Sequence, residues 1–575
     1  MPKGIAASPG IVIGTVYLFE QAAIHLQLEP ISEEEVAGQL ERVKDAVEKS
    51  KAQLLALQEQ IAQNLGPEKA GIMDAHLMIL EDVAFISEVE NMIRTEKVKA
   101  EWAISQVGQM LQATFESVDD EYMRERAADV RDVTERIVKN ALNIPIKTLS
   151  NIGRPVVVVT HDLAPTDTAQ LDRDHVMALV ADMGGRTSHT AIMARSLELP
   201  AVVGLGDFSG RVSDGDTIIV DGCKGEVILN PDQLLIEQYE AAGREYKNYR
   251  ERLHALKDLP AETKDQARRV ELFANIGTPA DVEAALANGA EGVGLFRSEF
   301  LYMNRNTMPT EEEQFKAYKA AAEDMSSRPV TIRTLDIGGD KNLPYLKMAQ
   351  EENPFLGCRA IRLCLERPEL FKTQLRAILR ASHYGKIRIM YPMISNVGEI
   401  KRANAILEQA KDELRAENIP FDEQIEVGIM VEIPAAAVAA DLLIKYVDFF
   451  SIGTNDLIQY TGAVDRMNEK ISYLYEPLQP AVLRLIKHVI DASHAAGKWT
   501  GMCGEMAGDA GAAAVLLGFG LDEFSMSASS ICQVKDVIRS LNVPQAENWR
   551  QMCLCWIHLR KFGSGLDPAE ESACS

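Results

Sequence analysis

Residues 426–456 read EVGIMVEIPAAAVAADLLIKYVDFFSIGTND, in which two short apolar runs flank a helical stretch. Each run ends on polar side chains. Glu432 closes EVGIMVE, and Asn455 and Asp456 follow FFSIG. Apolar runs of this length, bounded by polar residues, are typical of buried parallel strands. The segment therefore predicts a strand, a helix and a second strand, with carboxylates at the ends of both strands.

The same alternation of apolar runs and helical stretches extends in both directions from this segment. The runs are VELFANI (from 270), GVGLF (292), VTIRTL (330), IRIMYPM (387), EVGIMVEI (426), FFSIG (449), WTGMCG (499) and EFSMS (523). Eight such alternations over roughly 300 residues are the pattern of a (β/α)8 TIM-type barrel. We assign residues 262–575 to this barrel. Catalytic groups of such barrels lie at the C-terminal ends of the strands.

The N-terminal part predicts two further structural classes. Ser32 and Glu35 form a capping-box pattern before a long amphipathic helix, and helical spacing recurs through 76–93, 102–115 and 122–142. These patterns predict an inserted bundle of about four helices at residues 21–143.

Short β-rich runs on either side of that insert predict an α/β domain formed by residues 1–20 and 144–230. A polar, charge-laced stretch follows and predicts a linker helix at 231–261. The expected fold class is thus multidomain α/β.

Composition excludes several classes of protein. The formal net charge of −25 on 575 residues disfavours a nucleic-acid partner. The eight cysteines include no CxxC pair, which is typical of reduced thiols in a cytoplasmic protein. Glycines and Pro9 interrupt the N-terminus, and no apolar run reaches the ~18 residues needed to cross a bilayer. We expect a cytoplasmic protein without direct membrane insertion.

The segment DMGGRTSHTAIMAR (182–195) places His189 at the start of a helix. Paired glycines allow a sharp turn, and Thr187 or Ser188 can cap the helix. Free amide groups and the positive end of the helix dipole would stabilise a phosphoryl group on the imidazole, with Arg186 or Arg195 as counter-charge. The alternative is a capping histidine with no chemical role.

Basic side chains and one cysteine follow the predicted barrel strands. Planar guanidinium groups suit phosphate and carboxylate, so the basic residues predict a site for a small dianionic or trianionic substrate. Cys503, at the end of the seventh strand, is either a general acid for a carbon centre or a small buried hydrophobe. The basic residues are Arg297, Arg333, Lys341, Arg359 and Arg466.

Glu432 and Asp456 follow adjacent strands, with Asn455 beside them. A site with only a small number of hard oxygen ligands suits Mg²⁺, because this ion retains several waters and is shared with a substrate phosphate. The alternative is that each acid pairs with a nearby arginine. Two carboxylates together at strand ends favour the metal.

With these residues in place, the chain resembles Enzyme I of the bacterial phosphoenolpyruvate-dependent sugar phosphotransferase system. The resemblance runs nearly end to end. It rests on ASPGI (7–11), DDEYMRERAADVRD (119–132), GGRTSHTAIMARSLELPAVVG (184–204), GVGLFRSEFLYM, LDIGGDK, ENPFLGCRAIR, SIGTNDLIQY and GMCGEMAGD.

The resemblance implies an activity and a role for each site residue. His189 corresponds to the phosphorylated histidine, and Cys503 to the acid that converts the departing enolate into pyruvate. Glu432 and Asp456 correspond to Mg²⁺ ligands. The remaining residues correspond to groups that bind phosphoenolpyruvate: Arg297, Arg333, Lys341, Arg359, Asn455 and Arg466.

The resemblance also implies partners and domain roles. The α/β domain would carry the phosphohistidine, and the helical insert would bind the phosphocarrier protein HPr. The barrel would bind phosphoenolpyruvate and form a homodimer.

Two competing hypotheses are a phosphoenolpyruvate synthase or pyruvate phosphate dikinase, and a phosphocarrier without turnover. The first needs a nucleotide-binding unit for which no glycine-rich loop is evident. The second disagrees with the complete set of reactive residues.

Overall fold

A computed structural model describes residues 3–19, 26, 28–65, 72–117, 121–144, 149, 152–163, 171–172, 174–185, 188–197, 199–303, 305, 307–338, 343, 345–346, 351–466, 468 and 471–548. Within these ranges, the side chains of residues 60–65, 72, 74–75, 116–117, 121–126, 128, 189, 192, 196 and 472 lie outside the description. The chain divides into two compact units, residues 1–249 and 250–575. Among the described helices, none combines the length and the apolar character that a membrane span requires.

The first unit contains a seven-stranded sheet with the strand order β1-β5-β4-β3-β2-β6-β7. Strands β2, β3, β4 and β5 pair in parallel, whereas β1, β6 and β7 pair antiparallel at the two edges. Every residue of β3 is buried, which explains its unbroken apolar sequence VVVVT. The strands are Ile5–Ser8 (β1), Ile11–Leu18 (β2), Val156–Thr160 (β3), Val176–Ala181 (β4), Ala201–Val203 (β5), Thr217–Asp221 (β6) and Glu226–Leu229 (β7).

The segment between β2 and β3 is helical. Its described residues form five α-helices where the spacing predicts about four, because the predicted helix over 76–93 is interrupted. Asp82 ends that continuity: its carboxylate accepts hydrogen bonds from the backbone amides of Ala84 and Phe85 and starts a new helix. The helices are Val36–Leu65 (α1), Ile72–Leu80 (α2), Val83–Glu96 (α3), Ala100–Ser117 (α4) and Glu121–Ala141 (α5).

The predicted capping box is present at the start of this segment. The Glu35 carboxylate accepts hydrogen bonds from the Ser32 amide and hydroxyl, each at 2.8 Å. A single 3-10 turn, Glu33–Glu35, precedes α1. Buried apolar side chains from all five helices, among them Val43, Met73, Val89, Ile104 and Ile137, form one core.

The second unit contains a closed barrel of eight parallel strands, β8 to β15 in sequence order. The predicted fold class, multidomain α/β with a C-terminal TIM-type barrel, is confirmed. The strands are Glu271–Ile276 (β8), Val293–Arg297 (β9), Val330–Arg333 (β10), Ile387–Tyr391 (β11), Glu426–Val431 (β12), Phe449–Ile452 (β13), Trp499–Met502 (β14) and Glu523–Met526 (β15).

Two of the described α-helices precede the barrel in the chain and lie outside the inserted bundle. Helix α6 (His189–Ser196) follows β4, and α7 (Gln233–Ala255) follows β7 and crosses the boundary between the two units. The helices of the barrel are Asp281–Ala287 (α8), Glu311–Met325 (α9), Ile361–Glu366 (α10), Pro368–Ala381 (α11), Val397–Ala416 (α12), Pro434–Val438 (α13), Ala440–Leu443 (α14), Thr454–Gly462 (α15), Pro480–Ala495 (α16), Ala510–Phe519 (α17) and Ile531–Ser540 (α18).

Helix α18 holds the segment that leaves α7. The Lys535 ammonium donates to the Lys257 carbonyl at 2.7 Å, and Nη1 of Arg539 donates to the Pro260 carbonyl at 2.7 Å. Nη2 of Arg252 lies 3.2 Å from the Asp536 carboxylate. The end of α7 is therefore fastened to α18.

Candidate active site

Five of the predicted site residues of the barrel lie at or just after the C-terminal ends of its strands. Arg297 and Arg333 are the last residues of β9 and β10, and Glu432 directly follows β12. Asp456 lies in the first turn of the helix after β13, and Cys503 directly follows β14. Because all eight strands are parallel and the barrel is closed, these side chains lie around one mouth.

Two arginines at this mouth are held by a shared carboxylate. Asp336 accepts from Arg333 at 2.8 Å through one oxygen and from Arg359 at 2.9 Å through the other. Arg333 also pairs with Glu299. Both arginines are buried, at 7% and 6% exposure, so the carboxylates fix their guanidinium groups in place.

These buried arginines keep their charge. Burial alone would lower the pKa of Arg333, but Asp336 and Glu299 outweigh it and raise that pKa. The pKa of Arg359 is also raised, because Asp336 again outweighs burial. Nε of Arg333 and both Nε and Nη1 of Arg359 are buried without a hydrogen-bond partner. N–H donors that lack a partner, on guanidinium groups held in place, are suited to bind an incoming anion.

Glu432 presents an unused oxygen to the same mouth. The residue is 1% exposed, and its Oε1 accepts from the Met393 amide at 2.6 Å. Its Oε2 is buried without a hydrogen-bond partner. Burial first, and then the nearby carboxylates of Asp456 and Asp336, raise the pKa of Glu432 well above its usual range. A cation between Glu432 and Asp456 would relieve this repulsion.

The carboxylates fit a magnesium ion better than a closed metal centre. Within the described ranges, no group of three or more His, Cys, Asp or Glu side chains has the arrangement of a metal site. Mg²⁺ is usually held by one or two carboxylates, with water and substrate phosphate as the other ligands. The orphaned Oε2 of Glu432 and the nearby Asp456 supply that number of ligands.

Cys503 is a buried thiol that faces the interior of the barrel. It is 3% exposed and packs with Leu295, Met390, Met430 and Phe449. Burial raises the pKa of Cys503 to about 11, although the Ser451 hydroxyl and Arg333 act in the opposite direction. The thiol therefore stays protonated at neutral pH and can donate a proton.

The other barrel residues predicted from the sequence differ in their surroundings. Arg297 and Arg466 are exposed. Asn455 accepts from the Glu505 amide at 2.9 Å through its side-chain oxygen. Tyr475 donates to the Asn455 carbonyl at 3.4 Å. Lys341 lies outside the described residues.

His189 begins helix α6, as the sequence predicts, and Ser188 is the residue that caps it. The Ser188 hydroxyl accepts from the Ala191 amide at 3.3 Å. Gly184 adopts a φ of +109°, and a Cβ there would lie 2.9 Å from that hydroxyl, so glycine is required for the turn. Arg195, considered above as a counter-charge, donates to the Ala7 carbonyl at 3.0 Å. Arg186 and the His189 side chain lie outside the described set.

Sequence reasoning missed the residues that position the site. Glu299 and Asp336 fix the arginines, and their only sequence signal is their presence in GLFRSEF and LDIGGDK. Asn275 was also missed: its amide donates to the Cys503 carbonyl at 3.0 Å, and its oxygen accepts from Ser525 at 2.6 Å. A polar residue inside the apolar run VELFANI was the available signal.

Comparison with protein families accounts for most of the chain. Residues 250–543 match the model described as PEP-utilising enzyme, PEP-binding domain. Residues 3–126 match PEP-utilising enzyme, N-terminal, and residues 152–225 match PEP-utilising enzyme, mobile domain. The family matches, together with the buried arginines at the barrel mouth, thus place the chain in the class of PEP-utilising enzymes.

Curated relatives narrow this class. The phosphoenolpyruvate-protein phosphotransferase of Staphylococcus carnosus is 51% identical over 94% of this chain and 94% of its own length. That of Bacillus subtilis is 51% identical over 96% of both chains. A solution structure of Enzyme I (nEIt) is 44% identical over 43% of this chain and 100% of its own, with a TM-score of 0.39. The chain belongs to the phosphoenolpyruvate-protein phosphotransferase family.

Proposed function

We propose that the chain transfers the phosphoryl group of phosphoenolpyruvate to its own His189, releasing pyruvate, and then passes it to a histidine of HPr. This is the first step of sugar uptake by the phosphotransferase system. The observation that carries the proposal is the mouth of the barrel. Buried arginines with unused donors meet an unpartnered carboxylate oxygen and a protonated thiol there.

The arginines bind and orient the substrate. Arg297, Arg333 and Arg359, together with Lys341, neutralise the phosphate and carboxylate groups of phosphoenolpyruvate, and Asn455 and Arg466 complete its binding site. Because Asp336 already fixes Arg333 and Arg359, little reorganisation is needed when substrate enters. Glu432 and Asp456 hold Mg²⁺, which when bound offsets charge on the phosphoryl oxygens.

The chemical step exchanges one bond to phosphorus for another. A nitrogen of His189 forms a bond to phosphorus as the bridging P–O bond breaks, and the electron pair of that bond remains on the enolate of pyruvate. The Cys503 thiol then gives its proton to the methylene carbon, which yields pyruvate. Solvent returns a proton to the resulting thiolate. Positioning and charge neutralisation supply most of the rate enhancement.

His189 meets the phosphoryl donor in the barrel and the phosphoryl acceptor on HPr in turn, so its domain must move. Residues 1–20 and 144–230 form the phosphohistidine domain, and its linkers, including the helix at 231–261, act as hinges. Since HPr and the barrel cannot both engage the imidazole at once, a chain tethered in one orientation completes one half-reaction.

The remaining parts of the chain bind partners. HPr docks on the helical subdomain, residues 21–143, where Met78, Val83 and Met110 are 66%, 76% and 57% exposed. The barrel domain, residues 262–575, forms a homodimer, which is supported by the exposed side chains of Val438 and Leu442 at 64% and 49%. The protein acts in the cytoplasm, where both phosphoenolpyruvate and HPr are available.

Intact-protein mass tests the proposal. The native chain and His189→Ala are incubated with phosphoenolpyruvate and Mg²⁺, and HPr is then added. We expect one acid-labile phosphoryl group that requires His189, forms together with pyruvate and disappears when HPr is added. His494→Ala is a matched control, since His494 pairs with Asp522 at 2.8 Å away from the site. No mass gain by folded, magnesium-loaded protein would overturn the proposal.

A further inference from the structure

The barrel has a charged cavity at the end opposite its mouth. The cavity has a volume of about 290 Å³, and its lining includes residues that precede the strands. Glu291 lies just before β9, and Arg328 lies just before β10. Lys257 and Asp258 come from the segment after α7, and Lys535 comes from α18. None of the proposed catalytic residues lines this cavity.

Lys535 is a buried cation that lies near Glu291 and Asp258 but forms an ion pair with neither. The residue is 1% exposed, and burial lowers the pKa of its ammonium group. Its hydrogen bond to the Lys257 carbonyl uses one of three N–H donors. In the described part of the chain, no carboxylate forms an ion pair with it. A buried charge that lacks a partner is costly, so an additional ligand would stabilise this site.

The charge of the lining indicates which ligand fits. Lys257, Arg328 and Lys535 supply three positive charges, and Asp258 supplies one negative charge. Glu291 is already engaged, because its carboxylate lies 3.2 Å from Arg269 and accepts from the Leu272 amide at 3.1 Å. The lining therefore keeps a net positive charge even with Glu291 counted, since three cationic side chains face two carboxylates.

The shape of the cavity depends on Gly289. Its φ is +79°, and a Cβ there would lie 2.3 Å from the Lys257 carbonyl oxygen. Glycine therefore lets the Lys257 backbone approach, which places its carbonyl against the Lys535 ammonium. Leu259 and Leu286 supply an apolar part of the wall. The volume lies near the lower end of the ~300–1,000 Å³ typical of small-molecule sites.

We propose that this cavity binds a phosphate dianion, free or as the headgroup of a small phosphate monoester. The Lys535 ammonium donates its remaining N–H groups to the phosphate oxygens. Lys257 and Arg328 flank the anion, and the two leucines contact the organic part of an ester. The site is separate from the mouth and does not depend on the phosphotransfer proposed above.

Equilibrium dialysis of the full chain against radiolabelled inorganic phosphate, without Mg²⁺, tests the site. Lys535→Met removes the buried charge, and we expect it to lose one bound equivalent. We expect Arg328→Gln to weaken binding at that site at least fivefold. Lys386→Met is the matched control, since Lys386 is exposed on the same end of the barrel and does not line the cavity.

The outcomes separate the possibilities. Equal phosphate binding by the native chain and both pocket variants would overturn the proposal. A loss of phosphate binding in Lys386→Met equal to that in the pocket variants would also overturn it, because it would indicate attraction to the charged surface alone. If Lys535→Met does not fold, the exposed Arg328 decides the result. Phenyl phosphate should displace the label, and acetate at the same concentration should not. Displacement by acetate would refute a dianion site.

Discussion

Replacement of Glu523 by glutamine should change how the stability of the barrel depends on pH. Glu523 begins β15 at the end of the barrel opposite the mouth and is 2% exposed. Two influences compete on its carboxyl group. Burial raises its pKa, and nearby Arg388, whose Nη1 lies 3.6 Å away, lowers it. Burial prevails, with support from nearby carboxylates including Glu271, and the pKa rises to about 8.

The sign follows from proton binding. The native state holds the Glu523 proton up to a pH of about 8, whereas the unfolded chain releases it near 4.5. Between these values the native state binds more protons, so the free energy of unfolding falls as pH rises. The slope is at most about 1.4 kcal/mol per pH unit. From pH 5 to 7.5 the native chain should therefore lose about 3 kcal/mol relative to Glu523→Gln, which does not titrate.

Urea unfolding at several pH values measures this difference, with tryptophan fluorescence as the signal. Trp499 lies beneath the Arg388 guanidinium at 4.6 Å and reports on this end of the barrel. Glu426→Gln is the control, because Glu426 pairs with the same arginine at 2.6 Å and its removal leaves Glu523 able to titrate. If the free energy of unfolding of the native chain minus that of Glu523→Gln stays constant, or rises, with pH, the reasoning is refuted. It would mean that the ion pair with Arg388 outweighs burial.

Two further predictions concern the mouth of the barrel. Cys503→Ser should slow pyruvate formation at least about 100-fold, because positioned general acids contribute factors of this order. A coupled assay measures pyruvate formation, and mass analysis measures phosphorylation of His189. Together they separate protonation of the enolate from phosphoryl transfer. Unchanged pyruvate formation would remove the thiol from the mechanism. Glu432→Gln should raise the Mg²⁺ concentration needed for half-maximal phosphorylation more than about tenfold, since Asp456 alone would remain as carboxylate ligand. Asp448→Asn is the control. The native Asp448 carboxylate accepts from the Val427 amide at 2.8 Å, so its replacement should leave that Mg²⁺ concentration unchanged.

The architecture of the second unit could be predicted because its signal is local and repeated. Each strand is a short apolar run, and each run is followed by a helical pattern, so the barrel follows from periodicity. The places of Glu432 and Cys503 follow too, because parallel strands bring their C-terminal ends together. The start of a helix at His189 was predictable from paired glycines and a capping hydroxyl.

Pairings between distant residues could not be predicted. Arg333 pairs with Glu299, and no sequence pattern links positions 34 residues apart. The helical spacing places Asp82 inside a continuous helix, because a helix-capping carboxylate and an exposed helical one have the same local sequence signal. Lys535 presents a similar difficulty. Its spacing from Ile531 and Ile538 places Lys535 on the apolar face of α18, but no local pattern shows that the Lys257 carbonyl accepts a hydrogen bond from its ammonium group.

The contacts between α18 and the segment after α7 also determine where the chain can be cut into stable fragments. The carbonyl groups of Lys257 and Pro260 accept hydrogen bonds from Lys535 and Arg539, and Arg252 pairs with Asp536. A barrel fragment that starts after Pro260 would expose one end of α18 and leave a buried ammonium without its acceptor. A fragment that starts within α7, upstream of Arg252, keeps all three contacts. The last turn of that helix is thus structurally part of the barrel, and excision at the helix end would remove a piece of the barrel itself.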